Sequence, residues 1–151
     1  QVDFFQPENF DLNYVTPQGT YERPVVIHQA IYGSIERFFG ILLEHFKGDL
    51  PFWIAPIQAK ILTITDEQKE YAEKVSKQLL ESGIRIQTNE TSDPINAKIK
   101  SAQGERIPWM LIIGKKEVEN NTVSLRTLDG KQENGIPLDQ LIEKAKELNK
   151  F

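Results

Sequence analysis

Apolar side chains along this chain alternate between two rhythms, and the switches mark the elements. Phe10 to Val15 and Thr20 to His28 are rich in β-forming residues and flank Thr16-Pro17-Gln18-Gly19, which has the composition of a turn. Val25-Val26-Ile27 is an unbroken apolar run, as in a strand buried on both faces. The rhythm then becomes helical: Ile31, Ile35, Phe38, Phe39, Leu42, Leu43 and Phe46 recur at three- and four-residue spacing. Lys47-Gly48-Asp49 ends that helix. Leu50 to Pro56, with two prolines and Trp53, reads as a stiff linker, and a domain boundary is expected there.

Beyond the linker, strand and helix patterns alternate. Ala59 to Thr65 reads as a buried strand, and Thr65 followed by Gln68 forms a capping box for a helix striped by Tyr71, Ala72, Val75 and Leu79. Gly83 is placed to close that helix, Ile84 to Thr88 is a short strand, and Asp93-Pro94 suggests a cap followed by proline in the first turn. Pro108 to Gly114 and Thr122 to Thr127 are further strands. Pro137 opens a last helix with Leu138, Leu141, Ile142, Ala145 and Leu148 on one face. This alternation predicts an α/β fold with a mostly parallel or mixed sheet and helices on both faces.

Composition narrows the function classes. Of 151 residues, 39% are hydrophobic and 26% charged, ordinary for a globular protein, and no apolar run is long enough to span a bilayer, so no membrane partner is expected. With no cysteine there is neither a disulfide framework nor a thiolate metal site, which fits a cytoplasmic setting. The net charge of −4 disfavours a non-specific nucleic-acid binder. The charge is uneven, however. Residues 98–131 hold Lys98, Lys100, Arg106, Lys115, Lys116, Arg126 and Lys131 against Glu105, Glu117, Glu119 and Asp129, a local surplus that suits contact with a few phosphates.

The stretch Glu22 to Gly40, ERPVVIHQAIYGSIERFFG, places a histidine at the end of an apolar strand and an arginine one turn into the next helix. It resembles the third signature motif of class II aminoacyl-tRNA synthetases in the threonyl-specific form. The resemblance implies that His28 is one ligand of a zinc ion that holds threonine. It also implies that Arg37 is catalytic and binds the ATP phosphates, with Ser34 and Gln1 lining the same pocket. A planar guanidinium that stays charged suits the phosphate role. The family usually has arginine directly after that histidine, where this chain has Gln29. Only His45 could supply a second imidazole, so the other zinc ligands are expected in catalytic sequence outside this chain.

The run GKKEVENNTVSLRT, residues 114–127, is similar to the anticodon-binding domain of the same family. The resemblance implies that Glu117 and Arg126 read anticodon bases and that Ser92 takes part; Lys115 and Lys116 beside them are expected to meet phosphates. A carboxylate accepting from a base amino group and an arginine forked onto a base edge suit unstacked single-stranded bases. Asn89, Ser92-Asp93-Pro94 and Asn96 depart from the family's pattern. The expectation is the carboxy-terminal part of a threonyl-tRNA synthetase. Residues 1–50 would end the catalytic domain as a strand–helix remnant of an antiparallel fold, 51–56 would link, and 57–151 would bind the anticodon. The parent would be a threonine–tRNA ligase using threonine, ATP and tRNA(Thr), and a homodimer. The alternatives are a synthetase-like paralogue acting as a non-catalytic binding module, and a sister synthetase for proline, histidine or glycine.

Overall fold

A computed structural model describes residues 1–89 and 91–150. Two compact units emerge, residues 1–41 and residues 42–151. Phe151, the last residue of the expected second domain, lies outside the described residues.

In the first unit, β1 (Val2–Asp3) leads into α1 (Phe5–Asn9), whose start is capped by Asp3 Oδ1, accepting from the amides of Phe5 at 2.8 Å and Gln6 at 3.0 Å. The hairpin β2 (Tyr14–Val15) and β3 (Tyr21–Glu22) closes through Gly19, whose φ of 79° needs a residue without a Cβ. β4 (Val26–Ile27) pairs antiparallel with β1, Val2 opposite Ile27. The expected strands are therefore shorter than their β-rich spans. Pro24, which has no amide to donate, sits in the break between β3 and β4. Only Pro7 and Thr16 are buried among residues 1–41, while Phe10, Tyr21, Ile27 and Ile31 are more than 70% exposed. This unit has apolar side chains without a core of its own.

Helix α2 (Ile35–Phe46) ends in a left-handed pair, Lys47 and Gly48, with the Gly48 amide returning to the Leu43 carbonyl at 3.2 Å. The next segment belongs structurally to the second unit. Arg85 donates to the carbonyls of Ala55 (3.0 Å) and Trp53 (2.7 Å), Arg106 pairs with Asp49, and the Phe52 and Trp109 rings lie 4.6 Å apart. Gln58, fully buried, donates to the Phe52 carbonyl and to Asn149 and accepts from the Arg85 amide. What reads as a linker is clamped to the sheet.

That sheet holds β5 (Ala59–Thr63), β6 (Ile86–Thr88), β7 (Trp109–Ile113), β8 (Thr122–Thr127) and β9 (Gln132–Pro137) in the order β6-β5-β7-β8-β9. Strands β6, β5 and β7 are parallel, β8 runs antiparallel to β7, and β9 runs antiparallel to β8. The connecting helices are α3 (Lys69–Glu81), α4 (Ile95–Gly104), α5 (Lys115–Asn120) and α6 (Leu138–Leu148). Alternate strand residues divide between the faces. Ala59, Ile61, Leu111, Ile113, Val123 and Leu125 pack with Val75 and Leu79 of α3 and Leu141 and Ala145 of α6. Leu62 and Met110 face the other way, onto Ala102, Ile95 and Ile99 of α4.

Three local expectations change. Strand β9 is hidden in the sequence because Gln132–Pro137 is polar, carries Gly135 in a left-handed conformation, and buries only Ile136. Helix α4 starts at Ile95 with Pro94 as the residue before it, and Asp93 supplies no cap. Residues 115–120, between two expected strands, form the short helix α5. The Thr65–Gln68 capping box forms as expected, the Thr65 amide donating to Gln68 Oε1 at 2.7 Å.

Candidate nucleic-acid interface

The C-terminal ends of parallel strands β5, β6 and β7 gather three loops on one rim, the usual place for ligands in an open α/β sheet. After β6, Asn89 Oδ1 accepts from both the amide (2.9 Å) and the hydroxyl (2.8 Å) of Thr91, and Ser92 next to it is exposed. From β7, Gly114 passes directly into α5, so Lys115, Lys116 and Glu117 share its first turn. Lys116 is exposed, and Lys115 lies 3.4 Å from Glu67 in a pair exposed on both sides, worth little in stability and easily exchanged for another anion.

Glu117 is half-buried, and both its oxygens are engaged. Oε2 accepts from the Gly114 amide at 2.9 Å and Oε1 from the Ser124 hydroxyl at 2.8 Å. Its negative charge is felt by Tyr71, whose phenol is pushed above its ordinary value first by burial and then by Glu117; that phenol donates to the Thr122 carbonyl at 3.1 Å. Arg126 sits two residues beyond Ser124 on the same face of β8, between Met110 and Gln132 in register. Its Nε is buried and has no hydrogen-bond partner, and among the described residues its guanidinium has no ion pair. A buried donor left unpaired is costly in a native fold.

The structure thus gathers Lys115, Lys116 and Glu117 on one helical turn and joins Glu117 to β8, the strand of Arg126. Ser92 lies on a different loop of the rim. Gly114 and Ser124 escaped the sequence reading. The available signal was Ser124 itself, a small polar residue alternating with Val123 and Leu125 on an otherwise apolar strand.

In the first unit, Gln1 and His28 stand opposite each other and exchange both backbone hydrogen bonds at 2.9 Å, continuing the β1–β4 ladder. Ser34 caps α2 by accepting from the Arg37 amide at 3.2 Å. Arg37 itself is exposed, with neither an ion pair nor a side-chain hydrogen bond among the described residues. His28 is exposed too, and no three His, Asp or Glu side chains converge on a metal-sized position among the described residues. His28 by itself does not make a zinc site, because one imidazole supplies a single ligand where the ion needs at least three from protein.

The second unit is an anticodon-binding module. The family described as anticodon binding domain matches residues 52–148, and the chain belongs to it. Its relatives are threonine–tRNA ligases. The chain is 46% identical over 144 residues to the threonine–tRNA ligase of Streptomyces avermitilis, covering 95% of the chain and 22% of the ligase. It is 49% identical over 143 residues to that of Maridesulfovibrio salexigens, with the same two coverages. Among solved structures it resembles the RNA-binding domain of threonyl-tRNA synthetase from Cryptosporidium parvum, with a TM-score of 0.80 and 41% identity over 98% of this chain and 38% of that one. Prolyl-tRNA synthetase from Cryptosporidium parvum shares the fold, with a TM-score of 0.65 at 19% identity over 95% of this chain and 31% of that one. The chain spans 22% of the length of those two ligases.

Proposed function

We propose that this chain is the tRNA-anchoring part of a threonine–tRNA ligase that reads the anticodon of tRNA(Thr). Arg126 carries the reading. It is a guanidinium with a buried, unpartnered Nε, on the sheet face to which Glu117 is tied. A donor fork and a carboxylate acceptor on one face complement the edges of unstacked bases. Lys115 and Lys116 at the rim suit phosphates, and Ser92 offers a hydroxyl that both donates and accepts. The departures at Asn89 and 92–94 fall in this rim, so they would tune the grip without removing it.

Residues 1–50 belong, on this reading, to a catalytic domain, and 57–151 bind the anticodon, with 51–56 moving as part of the latter because it is clamped there. Arg37, without a side-chain partner among the described residues, would meet the phosphates of ATP; Ser34 and Gln1 would line that pocket, and His28 would give zinc one of its ligands. The parent enzyme would join threonine to tRNA in the cytoplasm as a homodimer. A non-catalytic binding module is the alternative, and it keeps the same anticodon site.

Affinity for cognate and unrelated tRNA across a salt series tests the site. Arg126→Ala is expected to cost ~1–3 kcal/mol for the cognate tRNA and little for the other, because a base contact discriminates. Lys116→Ala should weaken both equally and flatten the salt dependence. Equal losses for both tRNAs with Arg126→Ala would reassign Arg126 to the phosphates or to structure.

A further inference from the structure

We infer that Ser124 and the Gly114 amide are positioning groups that fix the Glu117 carboxylate as a base-reading acceptor and keep it apart from Arg126. The inference rests on the anticodon reading above. An ionised carboxylate offers about four lone-pair sites. Ser124 and Gly114 occupy one on each oxygen, at 2.8 and 2.9 Å, so one on each remains for a ligand. Hydrogen bonds to an ionised acceptor are the strong kind, and Ser124, only 4% exposed, makes its bond where water competes little.

The arrangement also avoids a collapse. Arg126 lies on the same strand face, two residues from Ser124, and carries an unpaired buried Nε. A Glu117–Arg126 fork would satisfy both groups and leave neither to read a base. Among the described residues no such pair forms. Gly114 is needed for a second reason. Its backbone is extended, at φ −119°, so flexibility is not the point; a Cβ there would lie 2.8 Å from Ile64 Cδ1 and 3.0 Å from Glu117 Oε2. Glycine lets the amide reach the carboxylate without pushing it away.

Ser124→Thr and Ser124→Val test this in the 151-residue chain, because the two variants differ only in the hydroxyl and share any cost of the added bulk. The probe is an RNA hairpin bearing the threonine anticodon loop, compared with the same hairpin bearing an unrelated anticodon. Ser124→Val should lose about tenfold in discrimination between them, while Ser124→Thr stays within about threefold of the parent. Salt dependence should be unchanged in both, since no phosphate contact is touched. In a Glu117→Ala background, where no acceptor is left for the hydroxyl, the Thr and Val variants should become equal. If Val and Thr discriminate alike in the parent background while Glu117→Gln and Arg126→Ala still erode discrimination, the positioning role is overturned and the anticodon reading stands. If Glu117→Gln and Arg126→Ala leave discrimination intact, both fall together.

Discussion

Gln58 gives a stringent test of the clamp that joins residues 49–57 to the sheet. Its side chain is fully buried and makes three hydrogen bonds: to the Phe52 carbonyl at 2.9 Å, to Asn149, and from the Arg85 amide at 2.9 Å. Gln58→Leu keeps nearly the same volume and removes all three. The Phe52 carbonyl bond is buried, so losing its donor costs about 1–3 kcal/mol. The Arg85 amide and the Asn149 side chain are partly exposed and can recruit water, at about 0.5–1 kcal/mol each. The sum is about 2–5 kcal/mol, a large part of the stability of an ordinary domain. At a mid-range urea m-value of ~2 kcal/mol/M, the midpoint should fall by about 1–2.5 M. Tryptophan fluorescence is the natural probe, because both tryptophans, Trp53 and Trp109, lie in the second unit and one sits in the clamped segment. An unchanged midpoint with an unchanged m-value would refute the clamp and return 51–56 to the status of a free tether.

Two further outcomes are expected. Lys60, 7% exposed at its side chain, pairs with Glu105 at 2.7 Å, and the Lys60 hydrogen bond holds the Glu105 carboxyl below its ordinary value. A depressed carboxylate stabilises the fold above its unfolded pKa and loses that contribution as pH falls through the folded one. Because the Glu105 side chain is 42% exposed and screened by solvent, Glu105→Gln should cost only about 0.5–1 kcal/mol at neutral pH, with the gap to the parent closing in acid; a gap independent of pH would deny the ion pair that role. Hydrogen exchange should be faster at Val26 and Ile27, whose strand pairs on one side only, than at Leu111 in the sheet centre, by more than about a thousandfold; the reverse order would show the first unit to be the more stable.

The sequence determined whatever depends on near neighbours. Helical stripes such as Ala72, Val75 and Leu79 announce α3 because burial on one face repeats every three to four residues. The apolar runs of β5 and β7 announce central strands because both their faces are covered. Resemblance over a few residues singled out Glu117 and Arg126 as candidates, and the fold sets them on α5 and β8. Tertiary structure alone decided the rest. Strand β9 has almost no apolar signature, and it is a strand because β8 offers it an open ladder. The segment after α2 looks like a tether and is part of a domain, because the groups that bind it, Arg85, Arg106 and Asn149, come from distant parts of the chain. Ser124 is an ordinary serine until the start of α5 is placed beside β8. Hydrogen bonds between groups distant in sequence are set by the fold, and no local pattern records them.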